Sequence, residues 1–283
     1  MNKPQPSIPA PLPPLGQSLS FRLLPGARVK AALKKLTEVF EPTWGVVGLG
    51  APLLLALGRD IPGSRTFPAF AGPGCSVPST QEALWIFLRG DERGILFQRR
   101  QLLEQILAGN FVLEDGIDTF VFDGGRDLSG YLDGTENPKD KAASRAAFRD
   151  DGSSFVVVQR WVHDLKRFRS LSQEGRDAII GRRHADNEEI ADAPPSAHVK
   201  RSAQESFDPD AFMLRRSMPW ATEGKEGLEF ICYVENLDRF EQVMRRMCGL
   251  EDGVVDALFQ FSRPLRGACY WCPPVQEGRL LIG

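Results

Sequence analysis

Two stretches of the chain carry the same local pattern. ALWIFLRG (83–90) is an apolar, aromatic run of strand length. It is followed by GILFQRRQLLEQILAG (94–109), in which Leu102, Leu103, Ile106 and Leu107 recur at helical spacing before a closing glycine. About 145 residues further on, GLEFICYVE (227–235) repeats the strand. NLDRFEQVMRRMCG (236–249) repeats the charged amphipathic helix, with Asn236 placed to cap its start and Gly249 to stop it. A strand–helix unit recurring at that interval predicts two related α+β halves. Further strands are expected at SLSFRLLP (18–25), GVVGLG (45–50), DTFVFDG (118–124), FVVVQRWVH (155–163) and AFMLRRS (211–217), and helices over 27–41 and 172–181, with loop over 60–80. Strands and helices do not alternate regularly, and no GxGxxG or GxxxxGK[ST] follows a strand. Antiparallel sheets with helices on one face therefore fit better than a nucleotide-binding doubly wound fold.

A length of 283 residues is enough for one large domain or two packed halves. The formal net charge is −2, and Lys and Arg are interspersed with acids, so the chain lacks the massed basic surface of a nucleic-acid binder. No apolar run reaches membrane-spanning length; GVVGLGAPLLLALG (45–58) is broken by four glycines and a proline. The proline-rich MNKPQPSIPAPLPPLGQ (1–17) has no signal-peptide core and is expected to form a flexible arm, ordered only against a neighbouring subunit. Five cysteines without framework spacing point to reduced thiols and a cytoplasmic location. Cys269 and Cys272 form CYWC, but no second ligand pair lies at a zinc-site spacing. Residues 268–272 read as a strand with the two thiols on opposite faces.

The chemistry-bearing residues are sparse. There are three histidines: His163 ends an apolar strand, His184 sits in a polar run, and His198 follows the turn-rich APPSA. No HExxH and no GxSxG is present. In GYLDGTENP (130–138), turn chemistry accounts for Gly134 and Pro138 but does not call for an acid at Asp133.

Taken together, five ordered segments carry a stronger signal. FDGGRDLSGYLDGTENP, SSFVVVQRWVHDLKRF, IIGRRHADNEEI, SAHVKR and FMLRRSMPW resemble, in that order, the signature of the dye-decolorising peroxidase family, closest to its compact bacterial cytoplasmic branch. The resemblance runs from about residue 118 to about residue 274. It implies an α+β fold of two ferredoxin-like halves, with antiparallel sheets and peripheral helices, of the dimeric α+β barrel type. The halves would span 18–140 and 141–283, the second carrying most contacts to one haem b per chain. It implies a homodimer or larger homo-oligomer that reduces hydrogen peroxide while oxidising aromatic dyes or small phenolic reductants, with neither nucleic acid nor membrane as partner. A haem carrier, or a protein that releases haem iron, is the alternative.

The same resemblance assigns residues. His198 is the implied iron ligand, oriented by Asp256 on a late helix, with Asp252 one turn away as the competing acid. Asp133 is the implied distal proton carrier and Arg215 its partner; neighbours on a strand face opposite ways, so only one of Arg215 and Arg216 can serve, and the spacing from His198 favours Arg215. Ser217 shares the face of Arg215, and Arg182 is expected at a haem propionate through a bidentate pair. These types suit the chemistry. A carboxylate on the second ring nitrogen strengthens an iron-bound imidazole as a donor. A distal carboxylate can shuttle a proton between peroxide oxygens while arginine stabilises developing negative charge. A carboxylate base works in acid to mildly acidic solution, so an acidic optimum is expected. Trp161, Trp220, Tyr131 and Tyr233 are candidate electron relays, with core packing the simpler role. Some relatives carry a histidine where this chain has Glu136, which leaves manganese oxidation unsupported. The ending GRLLIG, without a longer tail, argues against encapsulation.

Overall fold

The computed structural model describes residues 2–282; Met1 and Gly283, the outer ends of the expected arm and second half, lie outside the described residues. The first half runs β1 (Leu15–Leu23), α1 (Val29–Val39), β2 (Gly45–Leu49), α2 (Ala51–Leu57) and a small hairpin of β3 (Phe70–Gly72) and β4 (Cys75–Val77). It continues with β5 (Leu84–Gly90), α3 (Arg93–Leu107) and β6 (Phe111–Phe120). The second half begins with α4 (Asp140–Ala147) and β7 (Ser154–His163). A long excursion follows, carrying α5 (Leu165–Arg169), α6 (Gln173–Ile180) and the single-turn α7 (His198–Arg201). The chain then returns as β8 (Leu214–Arg215), β9 (Met218–Thr222), β10 (Lys225–Val234), α8 (Leu237–Met247) and β11 (Ser262–Cys272).

The main sheet has the order β6-β1-β5-β2-β11-β7-β10-β8, with β9 also paired to β10. Leaving β9 and the β3–β4 hairpin aside, each half has the strand order fourth, first, third, second, which is the ferredoxin-like arrangement, and all the pairings are antiparallel. The halves join where Trp271 of β11 faces Leu49 of β2. At the far ends, Thr119 of β6 donates to Met218 Sδ of β9 at 3.6 Å, so the sheet curls back on itself. Arg160 of β7 ties the halves through an ion pair to Asp115 of β6 at 2.7 Å, and pairs within its own half with Glu229 of β10 at 3.0 Å.

Side-chain alternation sorts the sheet into two faces. Val156 and Val158 of β7 join an enclosed cluster with Val46, Trp85, Ile231, Tyr233 and Tyr270. Val157 and Trp161 face the other way, into the large core shared with Leu33 and Leu36 of α1, Leu103 of α3 and Met244 of α8. The CYWC follows the same rule: Cys269 belongs to one cluster and Cys272 to the other, and both are buried free thiols. Asn236 caps α8, its Oδ1 accepting from Asp238 N at 3.0 Å, and Gly249 adopts the positive φ of +68° that ends the helix.

Three expectations need correction. The proline-rich segment is seated on its own chain instead of hanging free. Gln5 donates to Val47 O and Pro273 O and accepts from Val47 N, Ile8 is buried, and β1 already begins at Leu15. The strand at 211–217 shrinks to Leu214–Arg215, because Met213 N is taken by Gln204 Oε1. The loop at 60–80 contains the β3–β4 hairpin. No described helix is long and apolar enough to cross a membrane.

Candidate active site

The outer faces of β7 and β10, the apolar side of α8 and the excursion after β7 enclose a cavity open to solvent. Its walls are mainly apolar: Trp161, Leu228 and Phe230 from the sheet, and Phe240, Val243, Met244 and Met247 from α8. Polar groups converge on it from separate parts of the chain, among them His198, Asp133, Arg215, Asp127 and His163.

His198 opens α7, and Nδ1 lies 2.8 Å from Asp256 Oδ2. The Asp256 side chain is fully buried, and its Oδ1 accepts from Leu258 N at 2.8 Å. The neighbouring Ala257 N donates to Ser196 O at 2.7 Å, so the histidine segment and the aspartate segment are also tied through backbone. A carboxylate at Nδ1 selects the tautomer with its proton there and leaves Nε2 as the free lone pair. Asp256 is not on a helix, as the sequence suggested; it is the residue that caps a 3-10 turn at 257–260. Asp252 is engaged elsewhere, in a two-oxygen pair with Arg201 at 2.7 and 2.8 Å, and its carboxyl is lowered to about 2 by that hydrogen bond.

Asp133 sits in a turn where Gly134 N donates to its Oδ1 at 2.7 Å, and Arg215 Nη1 lies 3.8 Å from the same oxygen. That separation is an ion pair without a hydrogen bond. Arg215 Nε is buried without a hydrogen-bond partner. Arg216 turns the other way, its guanidinium donating to the carbonyls of Pro9 and Ala10. Ser217 is buried and accepts a long bond from Ile231 N at 3.4 Å. It lines a small recess beside Asp127 and Asp133 instead of the main cavity.

Arg182 is not brought to the cavity. Its guanidinium pairs with Glu136 at 2.6 Å and Glu189 at 3.1 Å and donates to Asn187 O at 3.0 Å. Both acids are met through Nη2 alone, while Nη1 goes to the carbonyl. Of the aromatic candidates, Tyr131 and Trp161 line the cavity, while Trp220 and Tyr233 are buried elsewhere. Tyr131 donates to Asp177 Oδ1, and burial together with that bond pushes its phenol above the ordinary value.

Two cavity residues escaped the reading of the sequence. His163 Nε2 lies 3.1 Å from Asp127 Oδ1, and its Nδ1 lies 2.7 Å from Ser262 Oγ. Burial raises the Asp127 carboxyl, but hydrogen bonds from His163 and Ser129 outweigh it and hold the group below its usual value. The available signal was strand alternation, which puts His163 on the same face as Trp161 and Gln159.

The residues present fit a flat, largely apolar group carrying a metal. One imidazole has a free nitrogen, a carboxylate and a guanidinium stand ready at the same cavity, and the Arg215 Nε and Gln159 Nε2 atoms are buried without partners.

Comparison with known proteins points the same way. The family described as Dyp-type peroxidase, C-terminal, matches residues 124–277. A dye-decolorizing peroxidase of Mycolicibacterium paratuberculosis is 30% identical over 221 residues, covering 74% of this chain and 62% of that protein. One of Mycobacterium tuberculosis is 29% identical, covering 74% and 66%. The chain thus spans a little under two thirds of the length of these curated relatives. A crystal structure described as a putative Dyp-type peroxidase from Shewanella oneidensis superposes with a TM-score of 0.91 at 26% identity, covering 97% of each chain. A variant of DypB from Rhodococcus jostii RHA1 in complex with haem superposes at 0.88 with 25% identity, covering 95% of this chain and 96% of that one.

Proposed function

The chain belongs to the Dyp-type peroxidase family, and from that premise we propose that it is a haem peroxidase reducing hydrogen peroxide with electrons from aromatic dyes or small phenols. The observation that carries the reading is the convergence of His198, Asp133 and Arg215 on one apolar-walled cavity. Haem b, one per chain, would supply the redox chemistry when bound: two-electron cleavage of the peroxide O–O bond, with electrons returned singly by the donor.

The protein's part follows from its own geometry. His198 would hold the iron through Nε2, and Asp256, fully buried and locked by Leu258 N, keeps the ring in that orientation. Asp133 has Oδ1 occupied by the Gly134 N–H, so its other oxygen would be the one free to accept a proton from hydrogen peroxide and return it. Arg215 brings a permanent charge, with Nε uncommitted, to the place where negative charge develops. The apolar side of α8 and the aromatic sheet residues would exclude water around a flat group held in the cavity.

The test is kinetic. In haem-loaded protein, Asp133→Ala and Arg215→Leu each lower the second-order rate constant for peroxide about 100-fold, at unchanged haem content by absorbance. A haem carrier would lose nothing with either substitution, and that result sinks the peroxidase reading.

A further inference from the structure

Arg215 occupies a strand only two residues long, at the open edge of the main sheet. On one side the segment is bonded to β10, with Arg216 N donating to Ile231 O at 2.7 Å. On the other side an edge strand leaves its N–H and C=O without a neighbour. Here both are taken by one side chain. Arg215 N donates to Asn137 Oδ1 at 2.8 Å, and Asn137 Nδ2 donates to Arg215 O at 3.1 Å. A carboxamide offers an acceptor and a donor in one plane, so it can stand in for the missing strand's peptide group. Aspartate would bring two acceptors and no donor.

We propose that Asn137 is the positioning residue that sets Arg215 against Asp133. This inference rests on the distal roles given to those two residues above. Asn137 belongs to the same turn as Asp133, its N–H donating to Gly134 O at 3.0 Å. Gly134 has φ +77°, and a Cβ on it would come within 2.8 Å of Asn137 Nδ2, so glycine both permits the turn and leaves room for the clamp. The result is a short, continuous link from the carboxylate, through the turn, to the backbone that carries the guanidinium. Asn137 does not line the cavity; it lies behind it, beside Pro9 and Arg216. Asp133 and Arg215 themselves are 3.8 Å apart, too far to hold each other by a hydrogen bond. Their relative placement therefore depends on the backbone clamp, and a displacement near 1 Å at such a pair can cost about 100-fold in rate.

The experiment is a double-mutant cycle in haem-loaded protein, with amide hydrogen exchange on the haem-free chain as a readout independent of turnover. Asn137→Ala lowers the peroxide rate constant about tenfold, leaves the KM for the dye unchanged, and speeds exchange at the Arg215 amide. Asn137→Asp, which keeps the acceptor but sets a second acceptor against Arg215 O, gives a loss at least as large. Adding Asn137→Ala to Arg215→Leu produces no further decrease. Asp164→Ala, which removes the cap on α5 where Arg167 N bonds Asp164 Oδ1 at 2.9 Å, serves as the stability control and keeps the full rate. An undiminished rate in Asn137→Ala while Arg215→Leu is slow, or multiplicative losses in the double variant, overturns the link alone. A normal rate in Arg215→Leu overturns the distal reading, and the link with it.

Discussion

The two halves share a strand order but treat the outer face of their sheets differently. In the first half the connection from β1 to β2 is short and carries α1, whose Leu33 and Leu36 pack in one core with Leu103 of α3. In the second half the corresponding connection, from β7 to β8, runs over residues 164–213 and places no long helix beside α8. The space opposite α8 is the cavity, and the excursion that replaces a packing helix carries His198 to its wall. Leu228 and Phe230 of β10 are left partly exposed there, where their neighbours on the other face are buried. In one half the apolar face is covered by packed helices, and in the other part of it is left lining a cavity, so two halves of one strand order differ in the surface they present.

This contrast can be broken by substitution. The largest effect is expected at His198→Ala in the second half: no Soret band after mixing with one equivalent of haem, in a haem-free chain that still unfolds cooperatively but melts lower, because the buried Asp256 Oδ2 loses its partner. Retained haem absorbance in that variant would remove the axial assignment. Next is Leu36→Ala in the first half, where the side chain is fully buried. Urea unfolding should show a loss of about 2–5 kcal/mol, with haem affinity of the folded fraction unchanged. A variant that lost haem in proportion to stability would mean that the packed half also shapes the site.

The smallest effect is a pH dependence at Asp127. Its folded carboxyl lies below the ordinary value of about 3.9, so its stabilising contribution is complete above that pH and disappears as pH falls through the folded value. The gap in urea midpoint between wild type and Asp127→Asn should therefore narrow between about pH 5 and pH 3, while the Leu36→Ala deficit stays constant. A gap that widens on acidification would show that the hydrogen bonds from His163 and Ser129 do not favour the ionised form.

The sequence by itself determined the elements whose cause is local. Apolar spacing marked α3 and α8, Asn236 and Gly249 marked where α8 starts and stops, and alternation placed Cys269 and Cys272 on opposite faces of β11. The ordered motifs also named His198, Asp133 and Arg215, which the fold brings to one cavity; the resemblance offered Asp256 beside Asp252, and the structure places Asp256 behind His198. Tertiary structure decided which groups a side chain meets once chain segments far apart come together. It paired Arg182 with Glu136 and Glu189, gave Asp252 to Arg201, and seated the N-terminal proline-rich segment through Gln5. It also joined Asp127 to His163 and Asn137 to Arg215. Periodicity is written within a few residues of the chain, whereas a hydrogen bond between residues 78 positions apart depends on how the whole sheet closes.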